Sequence, residues 1–167
     1  MKRIATALLR GATLLGILAA LATQTTRAQD IAPGQRLWLN AGAYSYHFDH
    51  GKNLRNDNWG FGGEWWFARE HAAMAGTFIN SNGNRTHYAA WQWRPLNTEW
   101  GPVKVGAGLA MGVFDGYPNY RNGGAFPIAM PVFSFEYGRA GLNLYPTPRI
   151  RDRVDAALSF QFKLAVW

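Results

Sequence analysis

The sequence predicts an all-β fold: an eight-stranded antiparallel transmembrane β-barrel that follows a cleaved signal peptide. Three observations carry this expectation. Lys2, Arg3 and Arg10 precede an apolar run from Gly11 to Ala22 that ends among small residues, the layout of an export signal. Apolar residues then alternate with polar or very small ones at period two along most of the chain. Finally, 8 tryptophans and 7 tyrosines could furnish the aromatic girdles of a membrane barrel.

The leader is read as residues 1–28, with cleavage after Ala22 (Ala20-Leu21-Ala22) or Ala28 (Thr26-Arg27-Ala28), and residues 29–167 as one barrel domain. Its apolar run is shorter than the ~20 residues that a spanning helix needs, which favours cleavage over anchoring. Removing four of the 17 basic residues with the leader lowers the formal charge from +7 to +3. The main support for nucleic-acid binding goes with them. The chain has no cysteine, which excludes a disulfide scaffold or a thiolate metal site.

In chain order the strands are expected at 36–48, 58–68, 71–80, 85–94, 103–114, 125–137, 140–147 and 153–166. Most are near the ~9–11 residues that cross a bilayer obliquely. In the fifth, Val103, Val105, Ala107, Leu109, Met111 and Val113 alternate with Lys104, Gly106, Gly108, Ala110, Gly112 and Phe114. In the eighth, Val154, Ala156, Leu158, Phe160, Phe162 and Leu164 alternate with Asp155, Ala157, Ser159, Gln161 and Lys163. A soluble sandwich turns such an apolar face inward, and an outer-membrane barrel turns it to lipid. Alternation fits both; the number and length of the runs, the aromatic residues and the aromatic-rich last strand select the barrel. Connections near Arg69-Glu70, Leu96 to Pro102 and Gly138-Arg139 are short or proline-marked. Those at Asp49 to Asp57, Asp115 to Gly124 and Pro148 to Asp152 are longer, with Ser81-Asn-Gly-Asn84 a compact exception. A periplasmic N-terminus puts the longer set outside, and with it Lys52, Arg55, Arg85, Arg121, Arg149, Arg151 and Arg153. These cations suit lipid phosphates, or serve as ordinary solvated loop charge.

The sixth run, AFPIAMPVFSFEYG, holds Pro127 and Pro131 inside an otherwise strand-like sequence. Proline cannot donate to a ladder, so the two mark either a place where strands part or the edge of an ordinary sheet. Pro146 and Pro148 in the adjacent segment favour the parting. Gly106, Gly108, Ala110 and Gly112, with Gly60 and Gly62, share the face away from lipid. They either leave an internal slot or make room for large partners such as Trp66.

The proline-x-x-x-proline strand with Ser134, Tyr137 and Gly138, followed by Tyr145-Pro146, resembles the lipid A palmitoyltransferase (PagP) family. Tyr46-His47-Phe48, Arg55-Asn56, Trp59-Gly60-Phe61-Gly62-Gly63 and Phe160-Gln161-Phe162 follow in the family's order, so that the resemblance covers most of residues 38–162. It implies an eight-stranded outer-membrane enzyme that moves a palmitoyl-like chain from phospholipid to lipid A, without a cofactor or metal, and takes in lipid sideways where the prolines lie. The family's amphipathic N-terminal helix has no counterpart between Gln29 and Leu37.

The family's required histidine and aspartate-serine pair map to His47 and to Asn80-Ser81, so the catalytic candidates are His47, Asn80 and Ser81. Arg55, Asn56, Arg85, Pro127 and Pro131 are the candidates for lipid binding. Asn80 replaces the acid; it can orient an imidazole but not stabilise its charge. On the residues alone, His47 is a polar strand end and Ser81 a turn former. His50, His71 and His87 lack metal-ligand spacing. The expected partners are outer-membrane phospholipid and lipid A, with no nucleic acid, and the chain is expected to be a monomer. The other reading is a non-catalytic structural or lipid-binding barrel of the same fold. A lipid A deacylase is a third, with Ser159 in the last strand but no histidine beyond His87.

Overall fold

A computed structural model describes residues 36–149 and 155–166, so the expected leader lies outside the described residues. The strands are β1 (Arg36–His47), β2 (Gly60–Trp66), β3 (His71–Ile79), β4 (Arg85–Trp100), β5 (Val103–Phe114), β6 (Phe126–Tyr137), β7 (Ala140–Thr147) and β8 (Ala157–Ala165). Each pairs antiparallel with the next, and β1 pairs with β8, so the sheet closes. Closure pairs every strand on both sides, over only part of the length between β6 and β7, as strands require in lipid, where no water can satisfy backbone groups. Long connections and the compact β3–β4 turn share one end; the tight turns 67–70, 101–102 and 138–139 share the other.

The face pattern decides between sandwich and membrane barrel. Glu64, Gln92 and Asn143 are fully buried, whereas Phe61 is 70% exposed and Leu164 51%. Polar groups fill the lumen and apolar ones the outer wall, as lipid demands. Trp100 and Tyr137 lie exposed near the tight-turn end, and Phe48 and Trp59 near the loop end.

Two bulges adjust the alternation. β4 runs on to Trp100, so most of the connection expected at Leu96 to Pro102 is strand. Pro95 falls where the β4–β5 register steps from Trp93↔Leu109 to Leu96↔Ala107, and an unpaired bulge position tolerates the missing N–H. In β1 the register against β8 steps at Gly42, whose φ is +66°, a value glycine adopts at little cost. The extra residue inverts the faces, so Trp38 and Asn40 are buried before it and Ser45 and His47 after it. Strict alternation from Asn40 would have turned His47 to lipid.

Of the five glycines expected to open a slot, only Gly60 borders the cavity described below. A Cβ at Gly62 would meet the Tyr88 hydroxyl, and one at Gly106 would lie 2.7 Å from Arg94 Cδ. These two make room for large inward side chains, the second of the two expected uses.

The lumen near the tight turns is plugged by ions. Lys163 Nζ lies 3.0 Å from Glu64 and 2.8 Å from Glu136, and Arg94 donates to Glu136 at 2.9 Å. Asn143 and Ser134 add bonds to Glu64 and Glu136. The Arg94 guanidinium stacks 4.1 Å over Trp66 and Lys163 lies 4.5 Å over Trp38. Two acids face two bases, which is how buried charge remains tolerable.

Candidate functional site

Above the plug the lumen widens into a cavity of about 610 Å³. Met74, Ala90, Ala110 and Met130 give it apolar walls. Toward the plug it meets Tyr145, whose hydroxyl lies 3.3 Å from the Asn143 amide and donates to Gln161 at 3.2 Å. The volume falls within the ~300–1,000 Å³ of small-molecule sites.

Three polar side chains meet at the loop-end mouth. Backbone bonds place them: Ser45 N–H donates to the Asn56 carbonyl (2.8 Å), Asn58 N–H to Ala43 (2.9 Å) and Arg55 N–H to Ser81 (2.9 Å). The long β1–β2 connection is thereby fastened to β1 on one side and to the β3–β4 turn on the other. His47 Nδ1 then lies 2.8 Å from Asn56 Oδ1, and Nε2 2.9 Å from Ser81 Oγ. An amide oxygen only accepts, so the ring proton sits on Nδ1 and the Nε2 lone pair accepts the serine hydroxyl.

His47 and Ser81 are thus together, as the sequence mapping had them. Asn80, mapped beside them, makes no bond to the imidazole. Its Oδ1 accepts Asn82 N–H (3.0 Å) and Asn84 N–H (3.1 Å), and its Nδ2 donates to Thr86 Oγ1 (3.1 Å) and the Gly116 carbonyl (2.9 Å). Asn56, expected among the lipid-binding residues, stands where an orienting acid would. Arg55 donates to Asp57 at 2.8 Å, and Lys52 to Asp155 at 2.7 Å, so part of the basic rim is internally paired. Arg85 opens β4 at the same end, exposed.

The wall beside the cavity is incomplete. β5 pairs with all of β6, from Val103↔Tyr137 to Phe114↔Phe126, but β6 and β7 pair only from Tyr137↔Ala140 to Phe133↔Leu144. The two-residue Gly138-Arg139 turn, with Gly138 at φ +57°, fixes which backbone groups face the gap. Its closing bond aims Tyr137 toward β7 and Ala140 toward β6. By alternation, positions 127, 129 and 131 then face β7, and 146 and 148 face β6. Four of those five are prolines, so Ala129 alone carries an N–H there. The β5 ladder loses nothing. Pro127, Ile128 and Ala129 from β6, Tyr145 and Thr147 from β7 and Pro148 just past its end border the cavity, which therefore reaches the gap.

Outside the spanning strands, the His87 N–H at 2.6 Å holds the Asp115 carboxyl below the usual carboxylate range, with help from the His87 ring at 3.1 Å. Burial at the mouth pushes the Tyr117 phenol up to about 12. Among the described residues no cluster of three His, Asp or Glu side chains is placed to hold a metal.

The sequence matches no family model and no curated protein. Among solved structures, the fold is similar to the de novo designed protein TMB2.3, determined by solution NMR. The TM-score is 0.55 at 12% identity, over 83% of this chain and 98% of that one. At such identity the likeness is one of fold.

Sequence reasoning passed over the part Asn56 plays, the Gly42 bulge and the ion plug. The plug left one trace, since Lys163 fell on the polar face of its strand. Nothing in the spacing of Asn56 signals its contact with His47, because that contact depends on how the connection folds back.

Proposed function

We propose that this barrel is an outer-membrane acyltransferase of the PagP kind, moving a palmitoyl-like chain from a phospholipid to a hydroxyl of lipid A. One observation carries the reading: the His47–Ser81 pair stands at the mouth of an apolar cavity that opens sideways through a proline-edged gap in the wall. An acyl chain entering between β6 and β7 lies against Met130 and Ala110, which leaves its ester at the mouth. His47 Nε2 is the base there, with its orientation held by Asn56. Asn80 builds the turn that presents Ser81. With the loop end outward, Arg85 and Arg149 face the phosphates of the outer leaflet. No step calls for a cofactor, and a closed barrel calls for no second copy.

A non-catalytic lipid-binding barrel is the second reading. It is favoured because, among the described residues, no carboxylate is hydrogen-bonded to His47. Mass spectrometry of lipid A from cells with and without the gene separates the two. Acyltransfer adds one acyl chain to lipid A, and His47→Ala removes it while the barrel still shifts on unboiled gels. If lipid A is unchanged by the gene and His47→Ala has no effect, the enzyme reading fails.

A further inference from the structure

We infer that Ser81 is a nucleophile activated by His47 and Asn56, and that the acyl chain resides as an ester on Ser81 Oγ before it reaches any acceptor. This rests on the acyl-transfer reading for its donor, an acyl ester, and not for its acceptor.

The three groups form a line from hydroxyl to ring to amide, at 2.9 and 2.8 Å. A nucleophile, a base within hydrogen-bond reach and a third group orienting the base are what hydroxyl activation needs. A serine that merely forms the turn would spend its hydroxyl on the turn. Here Asn80 supplies those side-chain bonds, and among the described residues Ser81 Oγ bonds only to His47. The Ser81 carbonyl is also held by Arg55 N–H, so the hydroxyl is fixed from both neighbours in space. The Gly42 bulge brings the imidazole to it from the lumen side, where His47 is buried.

Ser81 Oγ attacks the ester carbonyl carbon while its proton passes to His47 Nε2. The oxyanion forms at a mouth also lined by Lys52 and Asn82, both hydrogen-bond donors. The carbonyl re-forms, the bond to the glycerol oxygen breaks, and His47 returns the proton to that oxygen, which leaves a lysophospholipid. An incoming hydroxyl then gives its proton to Nε2 and attacks the acyl-serine, and that proton restores the Ser81 hydroxyl. Water in the same position yields a free fatty acid, so the barrel is an esterase when no acceptor is bound. Asn56 is a positioning residue: it fixes the tautomer but offers the imidazolium no charge. An aspartate there would.

The test uses the folded chain in detergent with p-nitrophenyl palmitate. The expected result is a burst of p-nitrophenolate equal to the amount of barrel, and a palmitoyl group replacing one hydrogen on the peptide that holds Ser81. Ser81→Ala loses burst and adduct, and Ser81→Cys carries the chain as a thioester. Asn56→Leu slows the burst by at least ~100-fold, and Asn56→Asp speeds it by at least ~10-fold, a gain no purely structural role gives. Migration on unboiled gels shows that each variant is folded. Turnover without an adduct, a burst that survives in folded Ser81→Ala, or a burst rate unmoved by Asn56→Asp overturns the inference. An adduct in a protein that leaves lipid A unmodified upholds it and rejects the acceptor reading. Lipid A acylation that persists in Ser81→Ala does the reverse.

Discussion

A carboxamide both donates and accepts, and Asn80 uses both halves. An aspartate at that position would keep the two N–H bonds to its oxygen but lose both donors, and would press an anion against the Gly116 carbonyl. Asn80→Asp is therefore expected to cost about 1–3 kcal/mol of stability, the penalty of broken buried hydrogen bonds, and to leave the His47 chemistry no faster. Urea unfolding in detergent with an ester assay checks both halves; faster turnover in Asn80→Asp would place its side chain on the imidazole after all. Asp115 allows a pH test at the same scale. Its native carboxyl titrates below the unfolded value of ~3.9, so its bonds to His87 stabilise the barrel above that value and fade as pH falls through the lower native one. Asp115→Asn should be less stable than wild type at pH 7 and equal to it once the pH lies below the lowered native value. A stability difference that persists undiminished in acid would mean that the charge on Asp115 is not what matters.

Between elements, the prolines at the β6–β7 gap do more than weaken a ladder. An open edge facing lipid would leave N–H groups at 127, 129, 131, 146 and 148 without partners, each costly in hydrocarbon. Proline removes four of the five. Replacing Pro127 and Pro131 by alanine restores two donors on the β7-facing edge of β6, the one at 131 opposite position 146 of β7, so the strands gain a reason to zip. The double variant should hold or gain stability, by up to ~1 kcal/mol per bond formed, while acyl transfer from vesicle phospholipid falls. Unchanged transfer would make the prolines a structural edge device. The strands themselves were legible because lipid on one side and a polar lumen on the other impose period two, and β5, β7 and the Gly138-Arg139 turn fell where expected. The gap was legible for the same reason proline is: its effect is local. The bulges were not, since Gly42 reads as an ordinary member of its run and Pro95 as the end of one, until a neighbouring strand counts the extra residue. His47 and Ser81 sit at strand ends, whose places follow from the strands. Asn56 sits in a connection whose path is set by three backbone bonds, and no spacing encodes those.

At the scale of the whole barrel, the ion network and the proposed site occupy different ends of one lumen. The tight-turn end is dense with the Glu64, Glu136, Lys163 and Arg94 network; the loop end is hollow, and its wall is open beside the cavity. Lys163 is the only one of the four to touch both acids within 3.0 Å. Lys163→Met leaves Glu64 without a cationic partner and Glu136 with Arg94 alone. By the cost of stranding a buried charge, the variant should lose about 3–5 kcal/mol. Adding Glu64→Gln removes the stranded carboxylate and keeps the Arg94–Glu136 pair. The double variant should therefore recover much of the loss, although it carries one charge fewer than the single and keeps the same one ion pair. Because the mouth is held by bonds among β1, the β1–β2 connection and the β3–β4 turn, the folded fraction of each variant should acylate at the wild-type rate. Urea unfolding in detergent, with the burst normalised to barrel that resists unfolding on gels, measures the two quantities separately. If Lys163→Met is as stable as wild type, the network is not what closes the barrel. If its folded fraction loses the burst, the plug and the mouth are one cooperative unit, and the division of the lumen into two ends is wrong.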